Sequence, residues 1–119
     1  MSYDPQNIFA KILRGEIPCN KVYEDNDVLA FNDIAPQASV HILVVPKGPY
    51  QSFDDFTCKA GPQQQLGFYK AVRSIAEQQG LRAGGYRLVC NHGMDSNQEV
   101  AHFHVHLLGG ENLGPLITR

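Results

Sequence analysis

The chain has 119 residues, a formal net charge of −2, 43% hydrophobic and 18% charged residues. That is the length of one domain, apolar enough to close around a core and too well mixed to be disordered. It carries no basic cluster, no apolar run near the roughly 18 residues of a membrane span, and no basic-then-apolar signal pattern between Met1 and Ala10, so nucleic acid and membrane are excluded as expected partners.

Asn7 to Arg14 places apolar residues at positions 8, 9, 12 and 13, one face of a short helix, with Asn7 set to cap it and Gly15 to end it. Lys21 to Glu24 and Val28 to Asn32 are short β-like runs around the turn Asp25-Asn26-Asp27. Val40 to Val45 is rich in β-branched residues, reads as a buried strand, and is stopped by Pro46. From about 59 to 79 the steps Leu66, Tyr69, Val72, Ile75 or Ala76 and Gln79 predict one long helix, with Pro62 in its first turn and Gly80 as its stop. Tyr86 to Asn91 is a further strand, and Ala101 to Leu108 the last, ended by Gly109 and Gly110. Clustered strands joined by short turns predict an antiparallel sheet with helices on one side, an α+β domain spanning 1–119 without repeat or linker. The three cysteines, Cys19, Cys58 and Cys90, form no C-x-x-C pair, which argues against a disulfide framework or a thiolate zinc site and fits a reducing cytoplasm.

The chemistry concentrates in His102-Phe103-His104-Val105-His106-Leu107-Leu108. On a strand, side chains alternate faces, so Phe103, Val105 and Leu107 enter the core and three imidazoles share the other face. Packing gives no reason for such a row, because Val or Ile would fill it better. One reading is a solvated face that carries histidine incidentally. A second is a metal site, completed by His41 or His92; here the outer histidines stand roughly 13 Å apart on a straight strand, too far to share one ion easily. The third divides labour: a central histidine acts as nucleophile or general base toward phosphorus while its neighbours hold the phosphate and orient the ring. The polar segment from Asn91 to Glu99, with Gly93, Asn97 and Gln98, can turn amides and backbone N–H groups toward that phosphate.

These residues, followed by Gly109-Gly110, resemble the histidine triad family, specifically its Hint branch of nucleotide-binding phosphoramidases. The similarity extends through Ile8-Phe9, Lys11-Ile12 and Gly15-Glu16-Ile17-Pro18, through Ala30-Phe31 and Asp33 to Ala38 with His41, through Val44-Val45-Pro46-Lys47, and through Gly85-Tyr86-Arg87-Leu88 with Asn91, roughly residues 7–116. The resemblance implies a five-stranded antiparallel sheet with a short N-terminal helix and one long helix. It also implies a homodimer with a continuous ten-stranded sheet, which makes Leu66, Tyr69 and Val72 interface candidates.

By the same resemblance, His104 matches a nucleophile that forms a nucleotidyl-histidine. His106 and Asn91 match phosphate contacts, and His102 and His41 match supporting members that place the catalytic ring. Asp33 and Ile34 match nucleoside contacts, and Ile8, Phe9, Ile12, Phe31 and Leu43 the walls around a purine base. The implied reaction is hydrolysis of purine nucleoside 5′-phosphoramidates, AMP or GMP conjugates, with no metal or cofactor required. Alternatives are cleavage of dinucleoside polyphosphates or nucleotidyl sulfates, or a non-catalytic nucleotide- or zinc-binding module. Four features depart from the family pattern: Ala101 before the first histidine, Glu99 where the eukaryotic branch has serine, the additional His92, and a tail (Leu113 to Arg119) without tryptophan.

Overall fold

In the computed structural model, which describes residues 2–118, the first helix, α1, runs Ile8–Leu13. Met1 and Arg119, included in the single-domain expectation, lie outside the described residues. The Asn7 side chain accepts from the Ala10 backbone N–H at 2.9 Å, satisfying one of the donors that a helix start leaves open. Gly15 follows at φ +78°, the left-handed conformation that stops a helix cheaply.

Strands β1 (Lys21–Glu24) and β2 (Val28–Asn32) form an antiparallel hairpin. Its turn is held by Asp25, whose Oδ1 accepts from the N–H groups of Asp27 and Val28 at 2.8 Å each. β3 spans Val40–Pro46 and is buried along nearly its whole length. With β4 (Tyr86–Val89) and β5 (Val105–Gly109) the sheet has the order β1-β2-β3-β5-β4, every pairing antiparallel.

Three expectations are corrected. The long helix starts at Pro62 rather than about 59, as α3 (Pro62–Gln78), and a separate helix that was not expected, α2 (Phe53–Lys59), precedes it. Pro62 disfavours helical backbone at the residue before it, and both Ala60 (ψ 144°) and Gly61 (ψ 161°) are extended. The last strand does not begin at Ala101. Its final pair with β3 is Val44↔Val105; two residues on, Phe103 would face Pro46, which has no N–H to donate. The Phe103 N–H goes instead to the Tyr50 carbonyl at 2.7 Å. The strand from Tyr86 ends at Val89 rather than Asn91, which leaves Asn91 in the loop before β5.

The helices also do not share one side of the sheet. Val28, Ala30, Ile42, Val44, Val105 and Leu107 face α2 and α3 in the main core, where Phe103 stacks on Phe56 with ring centroids 4.9 Å apart. Their strand neighbours Leu29, Phe31, Leu43 and Val45 face the opposite way and pack with Phe9 of α1. Both faces are therefore apolar, and the smaller core against α1 leaves part of its sheet face open for a cleft. Val72, an interface candidate, is 2% exposed inside the main core, whereas Leu66 and Tyr69 are exposed on α3. No helix among the described residues is long and apolar enough to cross a membrane.

Candidate active site

A cleft of about 400 Å³ opens on the α1 face of the sheet. β3 contributes His41 and Leu43, β5 contributes His106, and the segment just before β5 contributes His104. Asp33, Asn91, Asn97 and Glu99 reach it from the loops, and Phe9 from α1.

The histidines are not a row on one strand face. His102 is fully buried behind the cleft and lines none of it. Its Nε2 lies 3.0 Å from the Pro46 carbonyl, so that nitrogen carries the proton and donates. Its Nδ1 is then the acceptor, 2.6 Å from the Tyr3 hydroxyl. Burial holds its pKa down at about 4, with the Pro46 hydrogen bond opposing and His104 adding a little. A neutral ring in this position is what the partners require.

His104 takes its orientation from the same residue. Its Nδ1 lies 2.7 Å from the His102 carbonyl, which can only accept. Nδ1 is therefore the protonated nitrogen, and the lone pair of the neutral ring sits on Nε2. The edge of Phe9 packs against the ring, centroids 4.9 Å apart and planes at 83°. Burial lowers the His104 pKa below the ordinary histidine value, opposed by the His102 hydrogen bond and the charges of Asp33 and Glu99. The ring thus stays neutral at neutral pH.

A second relay ends at His106. The Gln37 backbone N–H points at His41 Nδ1 at 3.1 Å, which makes that nitrogen an acceptor. His41 Nε2 then carries the proton and donates to His106 Nδ1 at 2.9 Å. His106 is left with an Nε2–H as its remaining donor. Asp33 Oδ2 lies 3.4 Å from His41 Nε2, where it favours positive charge on that ring. Burial nevertheless lowers the His41 pKa, and burial together with the neighbouring His104 and His41 holds His106 at about 4.

Asp33, His41 and His106 place one potential ligand atom each within 4.8 Å of the others. As hydrogen-bonded here, His41 Nε2 faces His106 Nδ1 at 2.9 Å and the Gln37 N–H points at His41 Nδ1.

The other expected residues divide into three groups. Asn91, Asn97, Glu99, Asp33, Phe9 and Leu43 line the cleft. Phe31 and Ile12 stand behind it in the smaller core, where Phe31 packs edge-on to Phe9 at 5.7 Å. Gln98, Ile8 and Ile34 do not line it. Gln98 is a loop brace: its Nε2 donates to the carbonyls of Gln51 and Val100, and its Oε1 accepts from the Gly93 N–H. Ile8 is 44% and Ile34 97% exposed, the latter on the turn after β2. Sequence reasoning missed Gln37 and Tyr3, which act through a backbone N–H and through a contact 99 residues distant; neither leaves a local signal.

The chain belongs to the histidine triad, or HIT, domain family, whose family model matches residues 14–113. It is similar to the purine nucleoside phosphoramidase of Escherichia coli K12, with 46% identity over 114 residues, 95% of this chain and 94% of that protein. It is 52% identical over 118 residues to an uncharacterised 13.2 kDa HIT-like protein of Azospirillum brasilense, 99% of this chain and 97% of the other. The crystal structure of a HIT family hydrolase from Legionella pneumophila superposes with a TM-score of 0.84 at 39% identity, covering 90% of this chain and 95% of that one.

Proposed function

We propose that the chain is a nucleotide-binding hydrolase that cleaves the P–N bond of purine nucleoside 5′-phosphoramidates such as AMP joined to an amine. The observation that carries this reading is the orientation of His104: the His102 carbonyl holds its Nδ1–H, leaving the Nε2 lone pair as the nucleophile beside the His106 donor. In the first step Nε2 attacks the α-phosphorus in line, a P–Nε2 bond forms, and the P–N bond to the amine breaks. The amine nitrogen takes a proton from solvent and leaves with the bonding pair, while His106 Nε2–H donates a hydrogen bond to a phosphoryl oxygen. In the second step water attacks phosphorus and gives up a proton to solvent as His104 Nε2 departs. Positioning and the polar surroundings supply most of the acceleration.

The charge of the cleft favours this substrate over a polyphosphate. No Lys or Arg is among its lining residues, whereas Asp33 and Glu99 are both acidic. A phosphoramidate brings one negative charge to the α-phosphorus; a dinucleoside polyphosphate would bring several with no cation to meet them. The purine packs on Phe9, Leu43 and Val100, with Asn91 and Asn97 toward the phosphate and Asp33 toward the ribose hydroxyls. The reaction requires no metal, since the imidazole and N–H groups already supply nucleophile and donors. The name of the Escherichia coli relative and the hydrolase fold match support the same activity.

The reading includes a homodimer. β4 is an edge strand, and Tyr86 and Leu88 on it are exposed together with Leu66 and Tyr69 of α3. Pairing β4 with its copy would continue the sheet to ten strands and cover this apolar edge.

The test is intact-mass analysis after rapid quench with an AMP phosphoramidate. The wild type should gain a nucleotidyl mass that peptide mapping places on His104. His104→Ala should form no adduct and lose at least about a thousandfold in turnover, while still binding AMP. Turnover by His104→Ala at the wild-type rate would refute the assignment.

A further inference from the structure

We propose that Tyr3 is a positioning residue of this hydrolase, holding the nucleophile in its reactive orientation through His102. The proposal rests on His104 being the nucleophile, as argued above. The chain of contacts is short. The Tyr3 hydroxyl lies 2.6 Å from His102 Nδ1, the other side of that ring donates to the Pro46 carbonyl at 3.0 Å, and the backbone carbonyl of the same residue receives the His104 Nδ1–H at 2.7 Å. The two aromatic rings also meet edge to face, with centroids 5.6 Å apart.

A neutral imidazole has one proton and two ring nitrogens, so each partner on His102 constrains the other. Pro46 offers only an acceptor, and Tyr3 offers a hydroxyl that can donate. Together they select the Nε2–H tautomer. With the Tyr3 hydroxyl gone, Nδ1 becomes a buried acceptor without a partner, and the ring gains an incentive to turn or to move its proton. Either change breaks the Nε2–H bond to Pro46 and loosens the segment whose carbonyl aims His104. The nucleophile would then spend part of its time with the wrong nitrogen toward phosphorus. The hydroxyl and ring of Tyr3 meet His102, which does not line the cleft, so substrate binding should be little affected.

This assigns a task to the segment before α1, which the fold alone does not explain. Residue 3 lies outside the sheet and outside both cores. Its hydroxyl is nevertheless fixed against a histidine that is 0% exposed. The segment before α1 thereby closes the back of the histidine assembly.

The experiment compares wild type with Tyr3→Phe, which keeps the aromatic ring and removes only the hydroxyl. Two quantities are measured: the single-turnover rate of nucleotidylation with KM from steady state, and the ¹⁵N shifts of the His102 ring. The wild-type ring should show the Nε2–H pattern. In Tyr3→Phe that pattern should give way to mixed or exchanging signals, while nucleotidylation slows about three- to tenfold, the loss of one hydrogen bond, and KM stays within about twofold. An unchanged rate overturns the proposal whatever the shifts do, and so does a slower rate with the His102 tautomer unchanged. A loss confined to KM or to thermal stability also overturns it, because that is the mark of a merely structural contact. If even the wild type forms no adduct while releasing product, the reading of His104 as nucleophile fails first, and the role given to Tyr3 fails with it.

Discussion

Single residues carry the chemistry through which of their atoms are occupied. His104 has the same composition as His102, yet one presents a lone pair to the cleft and the other has both ring nitrogens engaged behind it. Spacing marked these histidines as a group and the family resemblance gave them expected roles, but the ring nitrogen each one protonates follows from the backbone carbonyls at His102 and Pro46, which no pattern of side chains reveals. Asn97 shows the same limit. Its place in a polar loop suggested a phosphate contact, and it does line the cleft. It is also the one described non-glycine residue at positive φ, 59°. Asparagine tolerates that conformation and β-branched residues do not. Asn97→Val should therefore lower stability by about 1–2 kcal/mol, and Asn97→Gly should change it by less than about 0.5 kcal/mol. Urea denaturation midpoints check this; equal midpoints for the two variants would contradict the backbone argument.

Elements were legible where pattern and backbone chemistry agree. α1, the β1–β2 hairpin and β3 lie where periodicity, Asn7, the Asp25 turn and Pro46 place them. The errors came where a local rule was outweighed. Pro62 lies in the first turn of α3, as its chemistry predicts, and its effect on Gly61 sets where that helix starts; α2, capped by Ser52, falls outside the periodic run. β5 was read too long because alternation continues through His102, while the hydrogen-bonding partner stops at Pro46. That shortening frees residues 101–104 to fold back on the 46–51 connection and gives His104 its orientation. The free edge of β4 carries the element-scale prediction. Leu88→Glu, an exposed position on that strand, should convert a dimer to a monomer at micromolar concentration by putting like charges across the two-fold edge. Sedimentation equilibrium reads the outcome, and a wild-type chain that sediments as a monomer would refute the ten-stranded sheet.

At the scale of the molecule, two cores on opposite faces of one sheet hold four histidines in or beside the cleft, and burial lowers the pKa of each. Unfolded, these rings titrate near 6.5; folded, His102 does so at about 4. Between those values the unfolded chain binds more protons, so stability is full above about pH 6.5, falls as pH drops toward 4, and levels off below. His102 alone should account for a loss of about 3 kcal/mol across that window, and the other rings should add in the same direction. Urea midpoints at pH 7, 5.5 and 4 check it, and a flat profile would show that the rings are not held neutral by burial.

The class of domain, most of the elements and the clustering of the histidines are legible in the sequence, because alternation, turn chemistry and cap residues are local and survive in one dimension; Asp33 and the apolar cleft walls entered only through the family resemblance. The tertiary structure alone shows which ring nitrogens of His102, His104, His41 and His106 carry protons, that His102 is buried behind the cleft, and that Tyr3 and the Gln37 backbone contact the same assembly. The physical reason is that a neutral imidazole has one proton to place. Its placement depends on carbonyls, an N–H and a hydroxyl brought to between 2.6 and 3.1 Å by folding, from positions as far apart as 3 and 102.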